Sequence, residues 1–140
     1  MPSQHLSIRI ETDALERLDA ESRRSGRSRS EVAKSLIKEG LRMQQHPGIV
    51  FRPGPSGRRP GLAGGPDVWE VIRVFLGVAA SSDPVRQSVE LTGLAPDQVR
   101  AAVRYYAEYR DEILAWIEHV DELAASVEKI WRQEQELLRS

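Results

Sequence analysis

The chain has no cysteine, which excludes a disulfide framework and any thiolate metal site. No apolar run in it approaches the roughly 20 residues a membrane-spanning helix needs. The short apolar groups near its N-terminus are all interrupted by polar residues, so no signal-peptide core is present and a cytoplasmic location is expected. Its three histidines, His5, His46 and His119, lie far apart and fall in neither an HExxH nor a Glu-x-x-His pattern,. Glu118, Asp121 and Glu122 share one helical turn and are read as a solvated face. The expectation is a protein that is not an enzyme, holds no metal or cofactor, and does not enter a membrane. At 140 residues it has room for one domain or two small ones,.

A net charge of −1 conceals an uneven distribution. Residues 1–45 carry nine Lys/Arg against seven Asp/Glu, and residues 46–66 carry three arginines and no acid. Residues 67–94 carry two basic against four acidic residues, and residues 95–140 six against ten. The front is thus +5 and the back −6. That division points to an anionic partner at one end and a different partner at the other.

The most informative stretch is HLSIRIETDALERLDAESRRSGRSRSEVAKSLIKEGLR, residues 5–42. It opens in strict alternation, which on a strand sends Leu6, Ile8 and Ile10 to one face and His5, Ser7 and Arg9 to the other. Two helical patterns follow, separated by a turn at Ser25-Gly26-Arg27. Leu15 and Leu18 share one side of the first helix, for which Thr12 and Asp13 are the expected N-caps. Val32, Leu36, Ile37 and Leu41 form a stripe on the second. Ser28-Arg29-Ser30-Glu31 has the capping-box pattern at its start.

One strand and two helices bury too little apolar surface to offset their chain entropy. A lone strand also leaves its ladder groups unpaired. A second copy repairs both defects if two strands pair antiparallel and four helices close over them. The core of that dimer would be Leu6, Ile8, Ile10, Leu15, Leu18, Val32, Leu36 and Ile37. On these residues the segment resembles the ribbon-helix-helix family of DNA-binding proteins, the MetJ/Arc/CopG class, over roughly the first third of the chain. The resemblance implies a homodimer on an operator in double-stranded DNA, with the outward ribbon face in the major groove. His5, Ser7 and Arg9 would then read bases, chemistry that Arg and Ser side chains suit. Arg27, Ser28, Arg29 and Ser30 would hold phosphate at the N-terminus of the second helix, where unpaired N–H groups and a partial positive charge meet. Arg23 and Arg24 are near enough in sequence to join them.

Periodicity stops at His46-Pro47-Gly48. Residues 46–66 hold five of the eight prolines and six of the ten glycines. Ile49 to Arg52 reads as a strand, Pro53 to Gly57 as a turn and Arg58 to Ala63 as a return strand in which Pro60 must lie on an edge or at a bulge. Gly61 to Gly65 matches neither the Walker spacing nor GxGxxG and reads as a tight connection. A helix follows from Pro66-Asp67, with Val68, Val71, Ile72, Phe75 and Leu76 on one face. A second runs from Asp83-Pro84 to about Leu91, and a third from Ala95-Pro96-Asp97 with nothing visible in the sequence to break it before the C-terminus, although it need not stay one straight rod. VRQSVELTGLAPDQVRAAVRYY has the shape of a helix-turn-helix, with Arg100 and Arg104 on its second helix. The residues from HPGIVFR to LTGLAPDQVRAAVRYYAEYRDEI also resemble a small antitoxin-associated domain of undetermined function, which has a hairpin before a helical bundle.

The tail carries three apolar rows of sevenfold spacing. They are Tyr106, Ile113, Val120 and Val127; Tyr109, Trp116, Leu123, Ile130 and Leu137; and Ile117, Ala124, Trp131 and Leu138. Such a stripe is broader than a two-stranded coiled-coil seam. Core packing accounts for it up to about Trp116. Beyond residue 120 little chain is left to cover it, so Trp116, Val120, Leu123, Val127, Ile130, Trp131 and Leu137 are assigned to a partner.

The expected fold is mainly α: a dimeric ribbon-helix-helix over 1–45, a Pro/Gly-rich hairpin and linker over 46–66, and a helical domain over 67–140 ending in a long helix. The resemblance implies an antitoxin of the VapB kind, nucleoid-associated, that represses its own operon and neutralises a toxin, often a PIN-like ribonuclease of the VapC type. The alternative is a stand-alone regulator whose C-terminal domain senses a ligand or drives assembly.

Overall fold

A computed structural model describes residues 2–140. Six helices and one hairpin follow in order: α1 (Thr12–Ser25), α2 (Arg29–Gln45), β1 (Ile49–Arg52), β2 (Arg59–Leu62), α3 (Val68–Gly77), α4 (Pro84–Thr92), α5 (Pro96–Glu108) and α6 (Arg110–Arg139). The protein is mainly helical with one small antiparallel sheet. It divides into two compact units between Gln44 and Gln45. Among the described residues, no helix is long and apolar enough to cross a membrane.

In the first unit residues 2–11 belong to neither helix nor strand. α1 begins at Thr12 with Glu11 as its N-cap and no side-chain cap bond. Thr12 and Asp13 therefore lie inside the first turn rather than before it, where Asp13 still suits the positive end of the helix. Gly26 ends α1 in the left-handed conformation, φ 69°, which glycine adopts without a Cβ penalty. The Ser22 hydroxyl donates to the Arg27 carbonyl at 2.5 Å and so ties down the turn. The Glu31 amide donates to Ser28 Oγ at 3.1 Å, making Ser28 the cap of α2,.

The second unit has a contiguous core. Ile49, Leu62, Val68, Val71, Ile72, Val99, Ala102, Tyr105, Tyr106 and Ile113 are buried together. α3 packs against α4, α5, α6 and β2, and α5 against both strands. In the hairpin Ile49 pairs with Leu62 and Phe51 with Pro60. The Leu62 amide donates away from β1, to the Pro66 carbonyl at 2.9 Å. Pro60, two residues earlier, has the same orientation, so its missing N–H falls off the ladder.

Asp67 joins the hairpin to the helices. It stands at the N-cap of α3, yet its carboxylate makes no cap bond. It accepts instead from Arg52 Nη2 at 3.3 Å, from Arg59 Nε, and from Trp69 Nε1 at 3.1 Å. Both arginines cross glycines to reach it. A Cβ at Gly61 would overlap the Arg52 guanidinium, and one at Gly54 that of Arg59. Arg73 then stacks over Trp69, 5.1 Å from the ring centroid, and pairs with Asp121 of α6.

The helical pattern that starts at Pro96, which need not form one straight rod, is divided at Tyr109 (φ −116°, ψ 42°). Glycine and proline, the usual local breakers, are both absent there; the cause is packing. The Tyr109 ring lies 4.7 Å from Tyr105 and 5.8 Å from His46. His46 is itself buried, with Nε2 2.5 Å from Glu108. This aromatic cluster turns the helix back along α3.

Asp67→Ala leaves two partly buried guanidinium groups without their carboxylate. It should destabilise the second unit by on the order of 3 kcal/mol, read as a lower urea midpoint with an unchanged m-value. A change within a few tenths of a kcal/mol would show that Asp67 does not hold the hairpin.

Candidate nucleic-acid interface and partner-binding face

The first unit has little interior. α1 buries no residue completely and α2 buries only Val32. Of the side chains assigned to a dimer core, Leu15 and Leu18 are half-buried, while Leu6, Ile8, Ile10, Leu36 and Ile37 are exposed. Leu6 and Ile8 keep about two thirds of their surface open, at 66% and 65%. A single copy thus leaves the apolar residues of the alternating segment without cover. His5, Ser7 and Arg9 are exposed on the same segment.

The α1–α2 turn is ordered by its own side chains. Arg27 Nη2 donates to Ser35 Oγ at 2.7 Å and to the Glu31 carbonyl at 3.3 Å, so its guanidinium lies along the start of α2. Arg29 grips Asp19 of α1 through two bonds, 2.7 and 2.9 Å. Arg24 pairs with Glu21. Ser30 is exposed in the first turn of α2. The structure therefore gathers Arg27, Ser28, Arg29 and Ser30 at one helix N-terminus, with Arg29 engaged by a carboxylate.

Asp19 is the residue that sequence reading missed. It lies ten positions before Arg29, and only the folding back of α2 brings the two together. The Arg29 hydrogen bonds, reinforced by the charges of Arg29 and Arg23, hold the Asp19 carboxyl below its ordinary value of 3.8. The same bonds raise Arg29.

On the second unit the cover of α6 fails where the sequence places its end. Ile113 is buried, and Trp116, Ile117 and Val120 are half-buried. Leu123, Val127, Ile130, Trp131, Leu137 and Leu138 are all exposed. Trp116 lines a cavity of about 390 Å³ with Ser56, Glu112, Ala115 and His119. Further along, Val120, Leu123, Ala124, Val127, Glu128 and Trp131 line an apolar groove of about 590 Å³. Glu118, Asp121 and Glu122 do not assemble into a metal site, and among the described residues no group of three His, Asp or Glu does. In the helix-turn-helix-like segment Asp83 caps α4 by accepting from the Arg86 amide at 3.1 Å, and Gly93 ends it at φ 75°. Arg100 of α5 pairs with Asp97 at 3.4 Å.

No family model, curated protein or solved structure matches this chain.

The depressed Asp19 carboxyl has a consequence for acid stability. A carboxylate lowered in the folded state contributes stability at neutral pH that is lost as pH falls through its folded value. Asp19→Asn has no such carboxylate to lose. Urea titrations from pH 6 down to pH 2 should therefore show the parent losing more stability than Asp19→Asn below about pH 4. Parallel losses would remove the Asp19–Arg29 pair from the stability of the turn.

Proposed function

We propose that the protein is a DNA-binding antitoxin that represses its own operon through the N-terminal unit and neutralises a PIN-like ribonuclease through its C-terminal half. The observation carrying this reading is the alternating segment Leu6-Ser7-Ile8-Arg9-Ile10, exposed in one copy and leading directly into two helices joined by a Ser28-capped, arginine-rich turn. Paired with a second copy, the segment would become a ribbon. Leu6, Ile8 and Ile10 would face the α2 residues Leu36 and Ile37, which also lack cover, and His5, Ser7 and Arg9 would face the major groove. Ser28 would point the first amides of α2 at a phosphate, with Arg27 and Arg29 beside them. Asp19 tempers that site, because its charge opposes an anion bound at Arg29.

A second reading, a stand-alone regulator whose C-terminal domain drives assembly, is favoured by the exposed α6 stripe alone. A gene for a small nuclease beside this one would select the first.

Reading and holding separate experimentally. Arg9→Ala should cost about 1–3 kcal/mol on the preferred operator and relax its sequence preference. Ser28→Ala should weaken binding to all duplexes alike, and Asp19→Asn should strengthen it on all alike, since phosphate contacts carry no base information. Titrations on operator and random DNA at several salt concentrations measure both. Equal losses on the two DNAs for Arg9→Ala would take it out of base reading. Ile8→Pro removes a ladder donor and a core side chain together; if that variant still dimerises and binds operator like the parent, the ribbon is wrong.

Truncation after Glu118 should leave operator binding within about twofold of the parent while abolishing rescue of cells that express the nuclease. Operator binding that disappears with the tail would move the function of α6 to the DNA-bound assembly.

A further inference from the structure

We infer that the protein covering the outer part of α6 sets an arginine side chain on Glu134, in the middle of an otherwise apolar contact. The inference deepens the partner binding proposed above, and rests on it for the nature of the occupant, a protein.

Glu134 interrupts the apolar stripe. It lies seven residues after Val127 and eleven after Leu123, which puts it on their line along the helix,. Its neighbours at three and four residues are Ile130, Trp131, Leu137 and Leu138,. All four are large, apolar and between 57% and 76% exposed. Any surface that covers those four side chains covers the carboxylate as well.

No cation of this chain meets that charge. The helical positions that reach Glu134 are held by the four apolar residues. Lys129, Arg132 and Arg139 lie five, two and five residues away, off the stripe, and Arg132 is engaged by Glu128 at 2.5 Å. Among the described residues Glu134 has no ion-pair partner. In water an exposed carboxylate needs none. Inside a contact it is costly unless an opposite charge comes with the covering surface.

The same carboxylate selects among occupants. Between Val120 and Leu138 the stripe holds no lysine or arginine. A second copy paired along it would therefore bury Glu134 against an apolar side chain or against its own counterpart. A lipid surface would take the apolar residues into hydrocarbon, where a carboxylate finds no partner. A protein surface with one cation set in an apolar patch satisfies both parts of the face. Arginine suits the position better than lysine, because its planar guanidinium can bond a carboxylate through two N–H groups and stack on the adjacent Trp131.

The test uses the full chain and synthetic helical peptides of three heptads. Each peptide has leucine rows and one variable residue, Arg, Gln or Glu, in the middle of its apolar face. Binding is read by fluorescence anisotropy of a dye on the peptide. The parent chain should prefer the Arg peptide to the Gln peptide by at least about tenfold, with the Glu peptide weakest. Glu134→Gln should flatten the ranking to within about twofold, and Glu134→Arg should reverse it. The nuclease encoded beside this gene should bind Glu134→Gln at least about tenfold more weakly than the parent. Equal binding of the three peptides by the parent, binding of none, or an unchanged ranking on Glu134→Gln would overturn the inference. So would a parent chain that assembles beyond a dimer and loses that assembly on Trp131→Glu, since a second copy would then hold the stripe. A nuclease that ignores the parent chain would sink the partner proposed above, and the peptide ranking would then decide the inference alone.

Discussion

The Asp67 carboxylate, shared among Arg52, Arg59 and the Trp69 indole, is the interaction on which the second unit turns. A four-residue hairpin is marginal by itself in water, and this one carries two glycines and a proline between Gly57 and Gly61. Its arginines would ordinarily extend into solvent. Because Gly54 and Gly61 leave room for them, they fold across the sheet onto a carboxylate at the head of α3. A buried carboxylate is costly unless it is paired and hydrogen-bonded, and three donors meet that cost. The hairpin is thereby held so that Ile49 and Leu62 enter the helical core.

The two units meet the problem of apolar cover in opposite ways. The second closes its core with α3 and α5 and, apart from single side chains such as Leu76 and Leu91, leaves its apolar surface where α6 outruns its neighbours. The first buries one side chain in α2 and none in α1, so its stripe stays open along with the alternating segment before it. Apolar surface is thus left open at both ends of the chain.

Charge is also redistributed by folding. Counted along the sequence, Arg27 and Arg29 are two positive charges in a turn. In the folded unit Arg29 is engaged by Asp19, and Arg27 lies along the start of α2 with its guanidinium on Ser35. The turn is an ordered feature whose electrostatics depend on one acid from the preceding helix. An anion binding there competes with that acid.

Much of the local structure was legible in the sequence, because local rules are short-ranged. Gly26 and Gly93 end helices where only a left-handed residue fits. Ser28 and Asp83 cap the helices that follow, and the sevenfold apolar rows mark the side of α6 that stays open. The mainly helical class and the hairpin at Ile49–Leu62 follow from periodicity and from the clustering of Pro and Gly. What tertiary structure alone decided are the long-range pairings. The helix breaks at Tyr109 because its ring packs on Tyr105 and His46, although no residue there disfavours helix by itself. Asp67 gives up its capping role because two arginines from the hairpin reach it, and Asp19 meets Arg29 because α2 folds back on α1. The alternating segment 5–10 remains without a ladder in one copy. A strand is stable only when its backbone groups have partners, and a single sequence states the alternation but cannot supply the second strand.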